Sequence, residues 1–391
     1  MKVKENPIGV NYVYKNTLDQ TIELWIPIPE EKSTTLKPTQ LHKLPTGEDL
    51  GYFLLHKNDT LHLQYTQKWY KPKQLKYLTE EEITYYLRDT TLSPVNKETL
   101  KMAKDITKGI KNKKAQAKAI FQHIVTSYKY HYPPKSRGVE SFLRTKSGDC
   151  GEFSFLFSSL CRSLGIPTRT LFGSWSTGRM SGHAWNEIHV EDEGWVAVDV
   201  SMANLQKNKP LRFLDSDLRT MRWTKYFGET EGQRIVFSHD AEIRLHPRYR
   251  DNKDYTPAME PTYVNDQAFY WGQESLNGAA PYLQPAYVKI DMENLLPDTS
   301  LGVENYFGTW ETKEVGWRGY IAKSKKYAAL VGIATMATYF LSGYEYLALF
   351  YKISFIALFT CFILRRERVI LFSVLLIFMI LSFVSTVSEL V

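Results

Sequence analysis

Through residues 9–70 apolar and polar side chains alternate in short runs, as at 21–26 (TIELWI) and 61–65 (LHLQY). A period of two belongs to strands with one buried face. Turns rich in proline, glycine and charge separate the runs, at 26–30 (IPIPE) and 45–49 (PTGED). The pattern predicts a small antiparallel β domain ending near Pro72. From about Thr79 the period becomes helical: Ala117, Ile120, Phe121, Ile124, Val125 and Tyr128 recur at spacings of three and four and form one apolar stripe. After the break at Tyr132-Pro133-Pro134, Phe153, Leu156, Leu160 and Leu164 mark the face of a second helix, stopped by Gly165 and Pro167. Three strands are expected next, over 168–175, 183–190 and 195–200.

Helices followed by several strands predict an α+β domain, with helices on one side of an antiparallel sheet. Residues 234–238 and 242–245 read as further strands, whereas 250–285 is rich in Pro, Tyr, Asn and Gly and reads as irregular. The expected division is a β domain over 1–75, this α+β domain over 76–205, an extension packed on it over 206–322, and membrane helices over 323–391. That last region carries apolar runs at 327–342, 346–364 and 369–387, each near the roughly 20 residues that cross a bilayer.

Composition narrows the picture. At 391 residues the chain can hold two cored domains, and its formal net charge of +7 is mild. Basic residues between Lys101 and Lys118 fall at the spacing of a solvated helical face, and no aromatic-interleaved basic motif argues for a nucleic-acid partner. The opening MKVKENPIGV turns polar too early for a signal peptide. Of three cysteines, Cys150 and Cys161 would stand about 16 Å apart on one helix, too far for a disulfide or a shared metal. No cofactor is expected.

The same runs fix a topology. Three spans put Lys323, Lys325 and Lys326 on the same side as Arg365, Arg366 and Arg368, whereas two spans separate them. The preference for basic residues on the cytoplasmic side then favours three spans and an integral membrane protein with a cytoplasmic catalytic domain.

The candidate chemistry lies between the β domain and the membrane. Cys150 sits where coil becomes helix, beside Gly148 and Gly151. There the helix dipole and unpaired backbone N–H groups favour a thiolate and can hold an oxyanion, and the glycines leave room for substrate backbone. A Gly-Asp-Cys-Gly string alone is weak. His183 heads a strand, 194–199 (GWVAVD) supplies its partner, and the polar turn at 191–194 joins them. His183 and Asp199 have equal parity, so a hairpin centred on a residue sets both side chains on one face, within reach of each other. A carboxylate so placed fixes an imidazole tautomer and stabilises the imidazolium.

Together 148–153 (GDCGEF), 163–169 (SLGIPTR), 182–185 (GHAW) and 194–199 (GWVAVD) resemble the transglutaminase-like superfamily. The resemblance implies a papain-like thiol fold with Cys150, His183 and Asp199 as catalytic triad. It implies a cysteine-dependent amide hydrolase or acyltransferase that works through a thioester on a protein or peptide substrate. Less specifically, 25–29 (WIPIP) is similar to the N-terminal β domain of bacterial members, and 226–228 with 234–238 to their downstream extension. Where the family often has proline after the triad aspartate, this chain has Val200, a change in turn shape rather than chemistry. Subsidiary candidates are Trp185 and Trp195 as channel walls, Glu152 and Glu187 as supporting groups, and Tyr130 and His131 as oxyanion donors. His189 lies about 20 Å along its strand from His183 and is read as non-catalytic. The contrasting functional class is a catalytically silent, membrane-tethered peptide-binding scaffold. A zinc site on Cys150 and His183 lacks further ligands.

Overall fold

The computed structural model describes residues 7–75, 77–134, 136–208, 221–249, 262–264, 267–269, 276–291, 295, 301–365 and 367–390. Most of the stretch read as irregular, 250–285, lies outside them. The chain divides into two compact units, one of 8–211 with 221–312, the other containing 313–391.

In the larger unit the alternating N-terminal runs form strands. Strand Pro7–Lys15 buries every second residue, Ile8, Val10, Tyr12 and Tyr14. One sheet runs in the order Gly178–Arg179, Thr309–Glu314, Pro7–Lys15, Thr60–Lys68, Ser33–Thr34. A second runs Tyr287–Lys289, Ile22–Ile28, Asp49–Leu55, Gln40–Lys43. Inner-face residues of both, among them Tyr14, Leu24, Phe53, Leu63 and Val288, share one core. Strands at 287–289 and 309–314 therefore complete sheets begun by the first 70 residues, pairings that local periodicity does not reveal.

Between these strands lies the α+β part. Helices Glu80–Leu87, Lys97–Ile106 and Lys113–Ser127 start at Thr79, Asn96 and Asn112, whose side chains accept backbone N–H groups of the first turn. The helix Cys150–Ser163 is capped by Asp149, and Gly165 at φ +70° supplies the left-handed residue that ends it. It was expected to bury one face. Instead every residue from Gly151 to Arg162 is buried. Helices Lys97–Ile106, Lys113–Ser127 and Val200–Asn208 pack around it, and strands Gly182–Val190 and Thr168–Trp175 cover its remaining side.

Those strands belong to an antiparallel sheet ordered Phe227–Gly228, Gly194–Val198, Gly182–Val190, Thr168–Trp175, Arg234–Ser238. Strand 195–200 was expected to be longer; it ends at Val198, and Val200 opens the helix Val200–Asn208. The second expected strand of the extension, 242–245, is reduced to a single bridge, Ile243 to Ala280.

In the smaller unit, helices Gly316–Ser342, Tyr346–Leu364 and Val369–Leu390 pack in sequence. The last two are long and apolar enough to cross a membrane, with mean hydropathies of 2.2 and 2.7 and little or none of their surface buried. The first expected run, 327–342, is the C-terminal part of a 27-residue helix and falls short of that test.

Candidate active site

Asp149, Cys150 and Gly151 meet where the strand-like turn Ser147–Gly148 runs into the buried helix. Asp149 Oδ1 accepts the Gly151 N–H at 2.7 Å, and Glu152 Oε2 accepts the Asp149 N–H at 3.1 Å. This reciprocal cap fixes the first turn and leaves the Cys150 N–H, at the first helical position, without an intrahelical acceptor. Gly148 has a packing reason rather than a substrate one: a Cβ there would meet the Glu152 Cβ at 2.7 Å.

Below the cap lie Arg137, Asp149 and Glu152. The Arg137 guanidinium stands 3.3 Å from Asp149 Oδ2 and 3.4 Å from Glu152 Oε1. Burial and the neighbouring Asp149 carboxylate push the Glu152 carboxyl up to about 8. Burial acts the same way on Asp149, but Arg137 and the Gly151 N–H outweigh it and hold that carboxyl low.

The Cys150 thiol does not follow the expectation of a depressed pKa. Burial pushes it well above the ordinary thiol range and the Asp149 carboxylate adds to this, against the opposing pull of the Ala184 N–H and Arg137. The helix dipole is outweighed by the burial of the sulfur, to which the Asp149 carboxylate adds.

The hairpin of Gly182–Val190 and Gly194–Val198 pairs Asn186 with Val198 and Val190 with Gly194. His183 and Asp199 fall on one face, offset by one same-face position. His183 Nε2 and Asp199 Oδ2 are 2.8 Å apart, with both side chains buried. Asp199 Oδ1 accepts the Met202 N–H at 2.9 Å and the Ser201 hydroxyl at 3.0 Å. Val200 fits after this aspartate because Asp199 caps the helix that Val200 begins. Burial alone would raise the Asp199 carboxyl; the charges of His183 and Arg234 prevail and hold it well below the usual carboxylate range.

Cys150 and His183 are linked through one peptide unit: the N–H of Ala184, next to His183, donates to the Cys150 sulfur. Thiol and imidazole make no hydrogen bond with each other in this state. Bonds of this kind are often long before substrate binds. The imidazole stacks on Trp175, with ring centroids 4.4 Å apart and planes at 21°.

Cys150 opens on a cavity of about 530 Å³ shared with Tyr132, Trp175, Tyr282, Gln284 and Trp310. Its charged lining groups among the described residues, Arg137 and Asp149, pair with each other, so the wall is aromatic and nearly neutral. A larger cavity of about 740 Å³, lined by Tyr85, Arg88 and Arg244, includes none of Cys150, His183 or Asp199 and has no comparable chemistry.

The subsidiary candidates divide. Trp185 is fully buried and stacks on His183 at 5.9 Å, a supporting ring rather than a channel wall. Trp195 packs on His189 and Arg169 instead. Glu187 binds Arg169 and the Tyr70 hydroxyl, while Glu152 sits beneath the cysteine. Tyr130 pairs with Gly148, the His131 N–H donates to Gly148 O, and His189 bonds to Leu75 O. Sequence reading missed Arg234, whose Nη1 donates to Asp199 Oδ2 at 2.8 Å. Its one sequence signal is a charge heading an otherwise apolar strand, 234–238 (RIVFS).

Comparison with known proteins bears on this geometry. No curated protein sequence matches the chain. Among solved structures, a proposed cysteine protease from Cytophaga hutchinsonii is similar at 16% identity and a TM-score of 0.40, over 50% of this chain and 76% of that one. The periplasmic domain of TgpA from Pseudomonas aeruginosa is similar at 14% identity and a TM-score of 0.35, over 54% and 93%. Residues 100–200, which carry the cysteine, the histidine and the aspartate, match the family model of the transglutaminase-like superfamily.

Proposed function

We propose that this protein is a membrane-anchored thiol enzyme that opens amide bonds through a thioester on Cys150, with His183 as proton carrier and Asp199 as its orienting carboxylate. The observation that carries the proposal is the buried 2.8 Å His183–Asp199 bond, one peptide unit from a cleft-facing cysteine at a helix start. As the cysteine attacks the amide carbonyl carbon, His183 takes the thiol proton and the new carbon–sulfur bond leaves charge on the oxygen. The Cys150 N–H is placed to donate to that oxygen. Collapse breaks the carbon–nitrogen bond, and His183 gives its proton to the departing amine. Water or a primary amine, deprotonated by His183, then attacks the thioester and restores the thiol. Water gives a carboxylic acid and amine gives a new amide; we favour hydrolysis of peptide substrates.

One feature favours the alternative of a silent peptide-binding scaffold: the sulfur is bonded to backbone rather than to imidazole, and burial disfavours its thiolate. A peptide amide or ester pool incubated with the full-length chain in detergent and quenched in acid decides between them. Acyl mass on Cys150, absent from Cys150→Ser, supports the enzyme. No adduct with any acyl donor leaves the scaffold.

The anchor is read as three spans with the N-terminal part cytoplasmic. Within the helical unit the two basic clusters come to one end: Arg365 Nη1 lies 2.5 Å from Glu314, Lys325 Nζ 2.9 Å from Glu367, and Arg318 donates to Arg365 O at 3.2 Å. Lys352 donates to Ser382 O at 3.0 Å, toward the other end. Alkaline phosphatase fused after Val391 should then be active, and an inactive fusion contradicts the topology.

A further inference from the structure

Arg234 is fully buried beside the candidate triad, yet none of the steps above uses it. Its Nη1 donates to Asp199 Oδ2 at 2.8 Å, the same oxygen that His183 Nε2 meets at 2.8 Å. Its Nε and Nη2 donate to Glu231 Oε1 and Oε2, each at 2.6 Å. The guanidinium carbon also stands 4.8 Å from the ring centroids of Trp175 and Trp185, the two tryptophans that stack on His183. The guanidinium thus has a carboxylate across its fork, the aspartate on another edge, and two aromatic rings in contact.

We propose that Arg234, held by Glu231, is a positioning residue that shares Asp199 Oδ2 with His183 and thereby sets how much negative charge the aspartate presents to the imidazole. The inference rests on the triad reading above. A lone buried aspartate would hold its histidine as imidazolium, and an imidazolium cannot take the thiol proton. A permanent cation on the same oxygen reduces that hold, and Glu231 limits the reduction by offsetting the cation. The cysteine helix packed on the His183 strand brings the Cys150 thiol, Glu152 and its cap Asp149, the two carboxyl groups engaged with Arg137.

The two substitutions have opposite signs, which a merely structural role would not produce. The test follows the His183 ring by ¹⁵N NMR in the full-length chain in detergent micelles, with the resonance assigned by its loss in His183→Gln. Arg234→Met should raise the titration midpoint of His183 by about one pH unit, and Glu231→Gln should lower it by about half a unit. Arg234→Lys, which keeps the charge, should stay near wild type. Shifts in the same direction, or none from either variant, overturn the proposal. If Arg234→Met does not fold, Glu231→Gln decides alone: a lower midpoint supports the clamp, and an unchanged or higher one overturns it. The readout needs no turnover. A shifting ring with no acyl adduct on Cys150 therefore means that the catalytic reading fails while the clamp stands.

Discussion

Asp199 and Asp240 are both fully buried carboxylates facing arginine, and they do different work. Asp240 accepts Arg88 at 2.7 Å, Arg162 at 3.1 Å and the N–H groups of Thr170 and Ala241. Asp199 accepts Arg234, two groups of its own helix cap and His183. In each case burial opposes the charge and the cationic partners overcome it, so both carboxyls are held down. Asp240 has two permanent cations and ties helix Cys150–Ser163 to strand Thr168–Trp175 and to the loop around Arg88. At Asp199 one of the two cations is replaced by a group that can gain and lose a proton, one peptide unit from a thiol. The same physics gives a structural tie in one place and a candidate proton relay in the other.

The comparison breaks if chemistry does not depend on the Asp199 side of it. Cys150→Ala should abolish turnover, a loss of at least about 10⁴-fold in kcat/KM, without lowering the melting temperature. Asp199→Asn should cost about 10³-fold in kcat/KM by leaving His183 without its orienting charge. Asp240→Asn should invert the pattern. Removing one member of a buried ion pair costs about 3 kcal/mol, read by thermal or denaturant unfolding, while the pH profile of the folded fraction stays at wild type. Equal kinetic losses from the two asparagine variants would make Asp199 an ordinary structural ion.

The acidic group under the cysteine sharpens the contrast through pH. Glu152 keeps its proton in the folded chain up to about 8, while the unfolded chain releases it near 4.5. Between those values the folded state holds more protons, so stability should fall as pH rises from about 5 to 8. Glu152→Gln, which can still accept the Asp149 N–H, should flatten that part of a melting-temperature series. The smallest effect belongs to Ser201→Ala, which removes one donor to Asp199 Oδ1. About 1 kcal/mol of stability and little activity should be lost.

The candidate site was legible because its geometry is carried by short-range pattern. The 3.6-residue period and the Gly165 stop outline the cysteine helix, and the equal parity of His183 and Asp199 about a tight turn puts them on one face. What stayed illegible is set by distant partners. Arg234 lies 35 residues from Asp199 along the chain, and nothing local marks the head of an apolar strand as the place for a buried cation. Strand Tyr287–Lys289 pairs with Ile22–Ile28 across more than 250 residues. The thiol's direction differs from the sequence expectation for a related reason: the helix dipole is visible in sequence, but the enclosure of the sulfur and the placement of Asp149 beside it are not.

The claim at the centre is that His183 takes the proton of Cys150, and the most direct test is the alkylation rate of Cys150 against pH in the full-length chain, with and without His183→Ala. Wild type should react at neutral pH through its histidine although burial disfavours the thiolate. His183→Ala should lose at least about tenfold at pH 7 and react only as pH passes above the ordinary thiol value near 8.5. Superimposable profiles would contradict the pairing and leave Cys150 an ordinary half-buried thiol beside an unrelated histidine.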